Sequence, residues 1–236
     1  MHPTSNDISF NLFGFQTSIQ PFFWLIAGFI TALHIGSINN DMPFWIAKLF
    51  VGMSAVAIAV LVHELGHALS FRHLFKVPCA IVLHCFGGAA IPLQNYQYHN
   101  DFGGFAARCF LSFSGPLAGF ILAFLMIGLL QGIPEDDRTA MVLLRLFLAW
   151  TALISIIWGI FNLLPIYPMD GGHIAREVFV YMSPSQGVKL SLIFSMVCAV
   201  LLAVLAIRYG LILAIFFCAY FAYQNYLELS SRSFRR

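Results

Sequence analysis

The chain has 236 residues, of which 60% are hydrophobic, 16% aromatic and only 9% charged, and its mean hydropathy is +0.86. Soluble domains carry about 25% charged residues, so this composition excludes a soluble enzyme, and its apolar content excludes a disordered chain. A formal net charge of +2 supplies no continuous basic surface for phosphates, which argues against nucleic acid as a partner. The composition predicts a polytopic membrane protein in contact with the lipid bilayer.

A short pair of strands is predicted ahead of the first membrane span. Ile8, Phe10 and Leu12 alternate with polar residues, which is typical of a strand, and Gly14 then interrupts the pattern. These residues contain no basic segment of the kind that begins a secretory signal peptide. The N-terminal segment is therefore expected to lie at the membrane surface as two strands.

Six apolar segments reach or approach the length of about 20 residues that spans a bilayer. They cover residues 22–38, 44–74, 105–130, 140–164, 188–207 and 211–227. The segment 77–100 is too polar to span, and its β-prone residues on both sides of two glycines predict a membrane-associated β-hairpin. The predicted fold class is an all-α polytopic membrane protein with about six transmembrane helices, the N-terminal strand pair and this hairpin between helices 2 and 3.

The orientation in the membrane follows from the basic residues near the span ends. Most of the twelve Lys and Arg residues fall on the side that carries both termini. Because basic residues are enriched in cytoplasmic loops, both the N- and the C-terminus are predicted to be cytoplasmic.

The motif H-E-x-x-H occurs at residues 63–67, inside the second span. Residues four apart share one face of an α-helix, so His63 and His67 can reach one Zn²⁺ ion. Glu64 lies beside them, where a carboxylate can take a proton from water at the metal. Ionisable groups inside a span are costly and usually functional, so the alternative, polar groups hydrogen-bonded between helices, is the weaker interpretation.

Catalytic zinc sites usually have three protein ligands, which leaves one to be found. His73 has the outer spacing of an extended zinc motif, but on a straight helix it faces away from His67. Among the ten acidic residues, elimination of those in loops, at the termini and in the motif leaves Asp170 and Glu177, just after the fourth span. Asp170 is then either the third ligand or the N-cap of a short helix.

These two segments together resemble the site-2 protease family of intramembrane zinc metalloproteases. Residues 63–67 match its zinc-helix motif, and residues 162–172 match its Asn-x-x-Pro-x-x-x-x-Asp-Gly pattern. Weaker similarity is found at the glycines of residues 86–88 and at the small residues 114–116. The overlapping stretch 115–119 is predicted to serve close helix packing, and a catalytic element is the alternative. The similarity covers most of the chain between residues 10 and 180.

The resemblance implies one Zn²⁺ per chain, with Glu64 as the general base. The ligands that it implies are His63, His67 and Asp170. It also implies that Asn162 helps to hold the substrate or the developing oxyanion, and the alternative is that Asn162 satisfies carbonyls freed by Pro165. The whole chain, residues 1–236, is expected to form a single metalloprotease domain with its motifs between about 43 and 175 and without a PDZ or CBS domain.

The implied function is hydrolysis of peptide bonds within or near transmembrane segments of membrane-protein substrates. A helical substrate must unwind before it is cut, and the hairpin could receive it as an added strand at Ile81, Gly87 and Gly88. A regulatory membrane protein is a further expected partner, and the expected location is the plasma membrane of a prokaryote. Two alternatives stay open: an inactive scaffold that binds transmembrane segments, and a metal-dependent transporter or sensor.

Overall fold

The computed structural model describes residues 7–35, 42–93, 103–135 and 137–233. In these residues the elements follow one another in this order: β1 (Ile8–Leu12), β2 (Phe15–Ile19), α1 (Pro21–Ile35), α2 (Met42–Leu74), β3 (Cys79–His84), β4 (Gly87–Pro92), α3 (Phe105–Gly132), α4 (Thr139–Asn162), α5 (Asp170–Met182), α6 (Gly187–Arg208) and α7 (Ile212–Ser233).

The chain divides into two compact units. The first comprises Met1–Asp101 and Ser114–Ile160, and the second comprises Phe102–Phe113 and Phe161–Arg236. The first unit contains the four strands and the helix with the H-E-x-x-H motif, and the second contains Asp170 and the helices α5 to α7.

Among the described residues, four helices are long and apolar enough, by length and composition, to cross a membrane: α2, α3, α4 and α6. The chain is therefore an integral membrane protein, but the predicted number of six spans is not confirmed. The first predicted span forms α1, a shorter apolar helix of 15 residues, and its predicted end at 36–38 lies outside the described residues. The last forms α7, whose second half is made less apolar by Gln224, Asn225 and Glu228.

Both predicted strand pairs are present, and within the described part of the chain they join into one sheet of four strands in the order β1-β2-β3-β4. β1 and β2 pair antiparallel around a tight turn, in which Phe13 and Gly14 have φ angles of 50° and 86°. Glycine adopts such positive φ angles without steric cost, so Gly14 suits this turn. β2 pairs in parallel with β3, and β3 pairs antiparallel with β4. The parallel pairing was not predicted, because it joins segments that two helices separate along the chain.

The predicted role of Ile81 in pairing with a substrate is wrong. Ile81 lies on β3, opposite Thr17 of β2 and Ala90 of β4, and its side chain is fully buried. The backbone groups of an interior strand are already paired on both sides, so they cannot bind an added strand. Gly87 and Gly88 lie instead on β4, which is an edge strand of the sheet that the described residues form.

The loop between α4 and α5 belongs to the hydrophobic core of the second unit. Ile166 and Met169 of this loop pack together with Ala199 of α6, and all three are at most 6% exposed. α6 also packs on α5 and on α7. The loop before Asp170 is therefore anchored by apolar side chains, although it has no regular secondary structure of its own.

Candidate metal centre

The two imidazole rings of the H-E-x-x-H motif converge on one face of α2. Nε2 of His63 lies 3.3 Å from Nε2 of His67. Two nitrogens bound to one tetrahedral zinc ion, each at about 2.0–2.1 Å, would have about this separation. His63, Glu64 and His67 are 2%, 4% and 9% exposed. The motif therefore fits a metal ion, and the regular geometry of a single helix provides this fit.

Glycines from two other elements lie directly against these side chains. A Cβ on Gly88 of β4 would collide with the side chain of Glu64, and a Cβ on Gly115 of α3 would collide with the imidazole ring of His67. In a close-packed interior, such contacts restrict the positions that a side chain can adopt. The absence of side chains at Gly88 and Gly115 thus gives Glu64 and His67 the room they occupy.

Helices α2 and α3 approach each other closely beside the motif. Gly66 of α2 faces the backbone carbonyl of Ser114 on α3, and a Cβ at residue 66 would collide with that carbonyl. Small residues allow membrane helices to pack at such short distances. Residues 114–118 therefore take part in helix packing, which is predicted for the overlapping stretch 115–119, and Gly115 also borders His67.

Trp158 of α4 is a neighbour of the motif that sequence reasoning missed. Its ring centroid lies 6.4 Å from that of His63, with an angle of 76° between the ring planes. The same indole leaves no room for a Cβ on Gly87 at the start of β4. No local pattern in the sequence could have identified Trp158, because its two contacts join three segments that are far apart along the chain.

His73 and His84 also lie in the first unit. His73 is exposed near the C-terminal end of α2. His84 ends β3, and its Nδ1 accepts a hydrogen bond from the backbone N–H of Phe86 at 3.2 Å. Burial lowers the pKa of His84 below its ordinary value of 6.5, because the charged imidazolium loses hydration.

Asp170 lies in the second unit, at the first residue of α5. The N-cap of this helix is Met169, whose side chain makes no capping hydrogen bond. The side chain of Asp170 is partly buried. Asp170 is therefore the first residue of α5 and not its N-cap, so the structure does not support the N-cap alternative.

Asn162, the other predicted site residue of this unit, is partly buried at the end of α4.

The first turn of α5 lies directly against the loop that precedes it. A Cβ on Gly171 would collide with the backbone carbonyl of Leu163, and a Cβ on Gly172 would collide with the backbone of Tyr167. The N–H of Met169 donates to the carbonyl of Ile166 at 2.9 Å, which closes a turn just before the helix. Asp170 is thus carried by a tightly folded segment of residues 163–172.

Glu177, the second carboxylate that elimination left, has a different partner. Its Oε2 accepts a hydrogen bond from Nε of Arg108 at 2.7 Å, and the two side chains are 1% and 15% exposed. A second bond from Arg108 reaches the carbonyl of Gly103 at 2.7 Å. Glu177 therefore belongs to a buried ion pair of the second unit, which favours Asp170 over Glu177 as a candidate ligand.

Comparisons with known proteins find similarity to a peptidase family, to a zinc metalloprotease and to a site-2 protease. Residues 128–205 match the sequence model of peptidase family M50. A zinc metalloprotease of Methanocaldococcus jannaschii, MJ0392, is 29% identical over 143 residues, which cover 60% of this chain and 37% of that protein. The solved structure of a site-2 protease from the same organism has a TM-score of 0.60 and 21% identity, over 94% of this chain and 95% of that chain.

The resemblance to the site-2 protease family is confirmed. The M50 match covers the segment from Asn162 to Gly172, and the similarity to the solved site-2 protease shows that the fold is shared over nearly the whole chain. The chain spans less than half of the length of MJ0392. The family-model match includes the motif that carries Asp170 but not residues 63–67.

Proposed function

We propose that this protein is an intramembrane zinc metalloprotease that hydrolyses peptide bonds within or near transmembrane segments of other membrane proteins. The observation that carries the proposal is the convergence of the His63 and His67 rings beside Glu64, all buried in a helix apolar enough to cross a membrane. Buried ionisable groups in such a helix are costly unless they serve a function.

One zinc ion per chain would be held by His63 and His67 together with Asp170. Bound zinc would supply Lewis-acid chemistry, polarising the scissile carbonyl and lowering the pKa of a water molecule. A carboxylate with two imidazoles is a common ligand set for catalytic zinc. Asp170 is supported as the third ligand by the sequence pattern that carries it and by the engagement of Glu177 with Arg108.

Glu64 would act as the general base. Its carboxylate takes the proton of the attacking water and passes it to the leaving amine. Contact with Gly88 limits the positions that its side chain can adopt, and a base held in this way loses little entropy when it reacts. Asn162 would hold the substrate or the oxyanion that develops on the carbonyl.

An unwound substrate segment would add to the sheet along β4, at Gly87 and Gly88. The free backbone groups of an edge strand pair readily with an extended chain. Because Gly88 lies against Glu64, a substrate paired there would lie close to the base. This assignment replaces Ile81, whose backbone is enclosed between two strands.

The protein would act in the plasma membrane of a prokaryote, with both termini in the cytoplasm. Its partners would be the transmembrane substrate, the surrounding lipid and a regulatory membrane protein. The bias of basic residues toward the side of the termini supports this orientation.

The test is to measure zinc per chain and cleavage of single-span substrates for the protein purified in mild detergent. Wild type is expected to hold about one zinc and to cut, and Glu64→Gln to keep the zinc but lose cleavage, because Glu64 is a base and not a ligand. Asp170→Ala is expected to lose both, and the control His73→Ala to keep both.

Other results would contradict the proposal. Loss of zinc from Glu64→Gln, or equal losses from His73→Ala and Asp170→Ala, would show that the ligand set is wrong. Zinc bound by the wild type without cleavage of any substrate would favour a scaffold, a sensor or a transporter over a protease.

A further inference from the structure

The peptide group of Tyr167, three residues before Asp170, is held by side chains of two other helices. Its N–H donates to Oγ of Ser195 on α6 at 2.7 Å. Its carbonyl accepts a hydrogen bond from Nδ2 of Asn225 on α7 at 2.6 Å. Neither bond is local, since Ser195 is 28 and Asn225 is 58 residues away along the chain.

Each of these two side chains also donates a second hydrogen bond, and both side chains are buried. The hydroxyl of Ser195 also donates to the carbonyl of Pro165 at 3.3 Å, and Nδ2 of Asn225 also donates to the carbonyl of Phe221 at 2.7 Å. Ser195 is 1% and Asn225 0% exposed. Buried polar side chains in apolar surroundings are unfavourable unless they are hydrogen-bonded, so a specific task is the best explanation for these two.

The ring of Tyr167 is held as well. The guanidinium of Arg176, on α5, lies 3.7 Å from the ring centroid, and the ring of His173 lies 4.9 Å away in an edge-on arrangement. Arg176 in turn pairs with Glu228 of α7 at 3.2 Å. Tyr167 is therefore fixed by its N–H, its carbonyl and its aromatic ring, with contacts from α5, α6 and α7.

A displacement of Tyr167 would be passed on to Asp170. The turn closed by Met169 and Ile166 connects the two residues, and the backbone of Tyr167 lies against Gly172 in the first turn of α5. In a segment packed this tightly, movement of one peptide group shifts its neighbours.

We propose that Ser195 and Asn225 are positioning residues that fix the peptide group of Tyr167 and thereby orient the Asp170 carboxylate for metal binding. This inference rests on the proposed function, in which Asp170 is a zinc ligand. Residues that orient a ligand typically change metal affinity by about 10- to 100-fold when they are replaced. Ser195 and Asn225 act through the loop and need not touch the metal or the substrate.

The test uses the full-length protein in detergent and measures zinc affinity by chelator competition, together with the visible absorption of the protein loaded with Co²⁺. The variants are Ser195→Ala and Asn225→Leu. The matched control is Ser191→Ala, one turn earlier on α6, because the Ser191 hydroxyl is equally buried but bonds within its own helix, to the carbonyl of Val188 at 2.8 Å. Asp170→Ala provides the spectrum and affinity of a site without the proposed third ligand.

Ser195→Ala and Asn225→Leu are each expected to weaken zinc binding by about tenfold or more. Each is also expected to shift the Co²⁺ spectrum toward that of Asp170→Ala, which a general loss of stability would not do. Ser191→Ala is expected to stay within about twofold of wild type, since it removes a bond of the same kind without touching the loop.

Wild-type zinc affinity and an unchanged Co²⁺ spectrum in both variants would overturn the inference while leaving the proposed function in place. If Asp170→Ala itself leaves zinc binding unchanged, then the ligand assignment and this inference both fail. If Asn225→Leu does not fold, Ser195→Ala decides the question alone, because it removes only one hydroxyl group.

Discussion

The two parts of the proposed ligand set are held in different ways. His63 and His67 lie on a regular helix that satisfies its own backbone hydrogen bonds, and glycines of neighbouring elements border the motif. Asp170 follows an irregular loop, whose backbone at Tyr167 is bonded by the side chains of Ser195 and Asn225. A helix satisfies its own backbone groups, so the motif depends on space for its side chains. An irregular loop leaves backbone N–H and C=O groups unpaired, so it depends on polar side chains from other elements.

This difference predicts that the motif in the first unit is most sensitive to added volume, and that the second unit is most sensitive to the loss of polar partners.

Substitution of the glycines that border the motif should have the largest effect. Gly115→Ala would push the ring of His67 and Gly88→Ala would push Glu64. A shift of about 1 Å in a catalytic group can cost about 100-fold in rate, so both variants should lose at least that much cleavage activity. Only Gly115→Ala should also reduce zinc content, because Glu64 is proposed as the general base and His67 as a ligand.

The matched control is Gly128→Ala, on the same helix α3, where an added Cβ meets nothing within 4 Å. It should keep both activity and zinc. Full activity in Gly88→Ala and Gly115→Ala would mean that the backbone around the motif relaxes easily, and that tight packing does not hold these side chains.

Loss of the buried ion pair in the second unit should have the next largest effect. Arg108→Ala leaves the carboxylate of Glu177 buried without its partner, which should destabilise the protein by about 3–5 kcal/mol. Arg145 and Glu135 form the comparison pair, 3.4 Å apart with Glu135 92% exposed, and Glu135→Ala should cost no more than about 1 kcal/mol.

Thermal or denaturant unfolding in detergent measures both costs under the same conditions. Similar values for the two pairs would contradict the prediction, because they would mean that burial adds nothing to the cost of an unpaired charge. A small cost for Arg108→Ala would also weaken the contrast between the two units.

The pH dependence of stability at His84 should be the smallest effect. Burial lowers the pKa of His84 in the folded protein below 6.5, so the unfolded chain binds a proton more readily. The contribution of neutral His84 is therefore complete above about pH 6.5 and is lost as the pH falls toward the folded pKa.

Unfolding of wild type and His84→Gln, compared between about pH 7.5 and 5.5, isolates this residue from the other histidines. Wild type should lose more stability than the variant over this range, by at most about 1.4 kcal/mol per pH unit, since one proton is involved. Equal losses would show that His84 does not titrate differently in the folded protein.

The parts of the molecule that could be predicted from the sequence depend on short-range regularity. The convergence of His63 and His67 follows from helical periodicity over four residues, and the positions of the helices follow from apolar runs. The strand pairs follow from alternation on either side of a turn. Local patterns do not contain the parallel pairing of β2 with β3, and this pairing is what encloses Ile81 between two strands.

By itself, the sequence determined the membrane character of the protein and the site-2 protease likeness, and it predicted one face of α2 and Asp170 as the candidate zinc ligands. These properties depend on composition or on residues close together in the chain. Only the tertiary structure decided that Gly88 and Gly115 border the motif, that Trp158 lies beside His63, and that distant polar side chains hold Tyr167. Such contacts depend on the packing of remote segments, and no local pattern records which remote segments will meet.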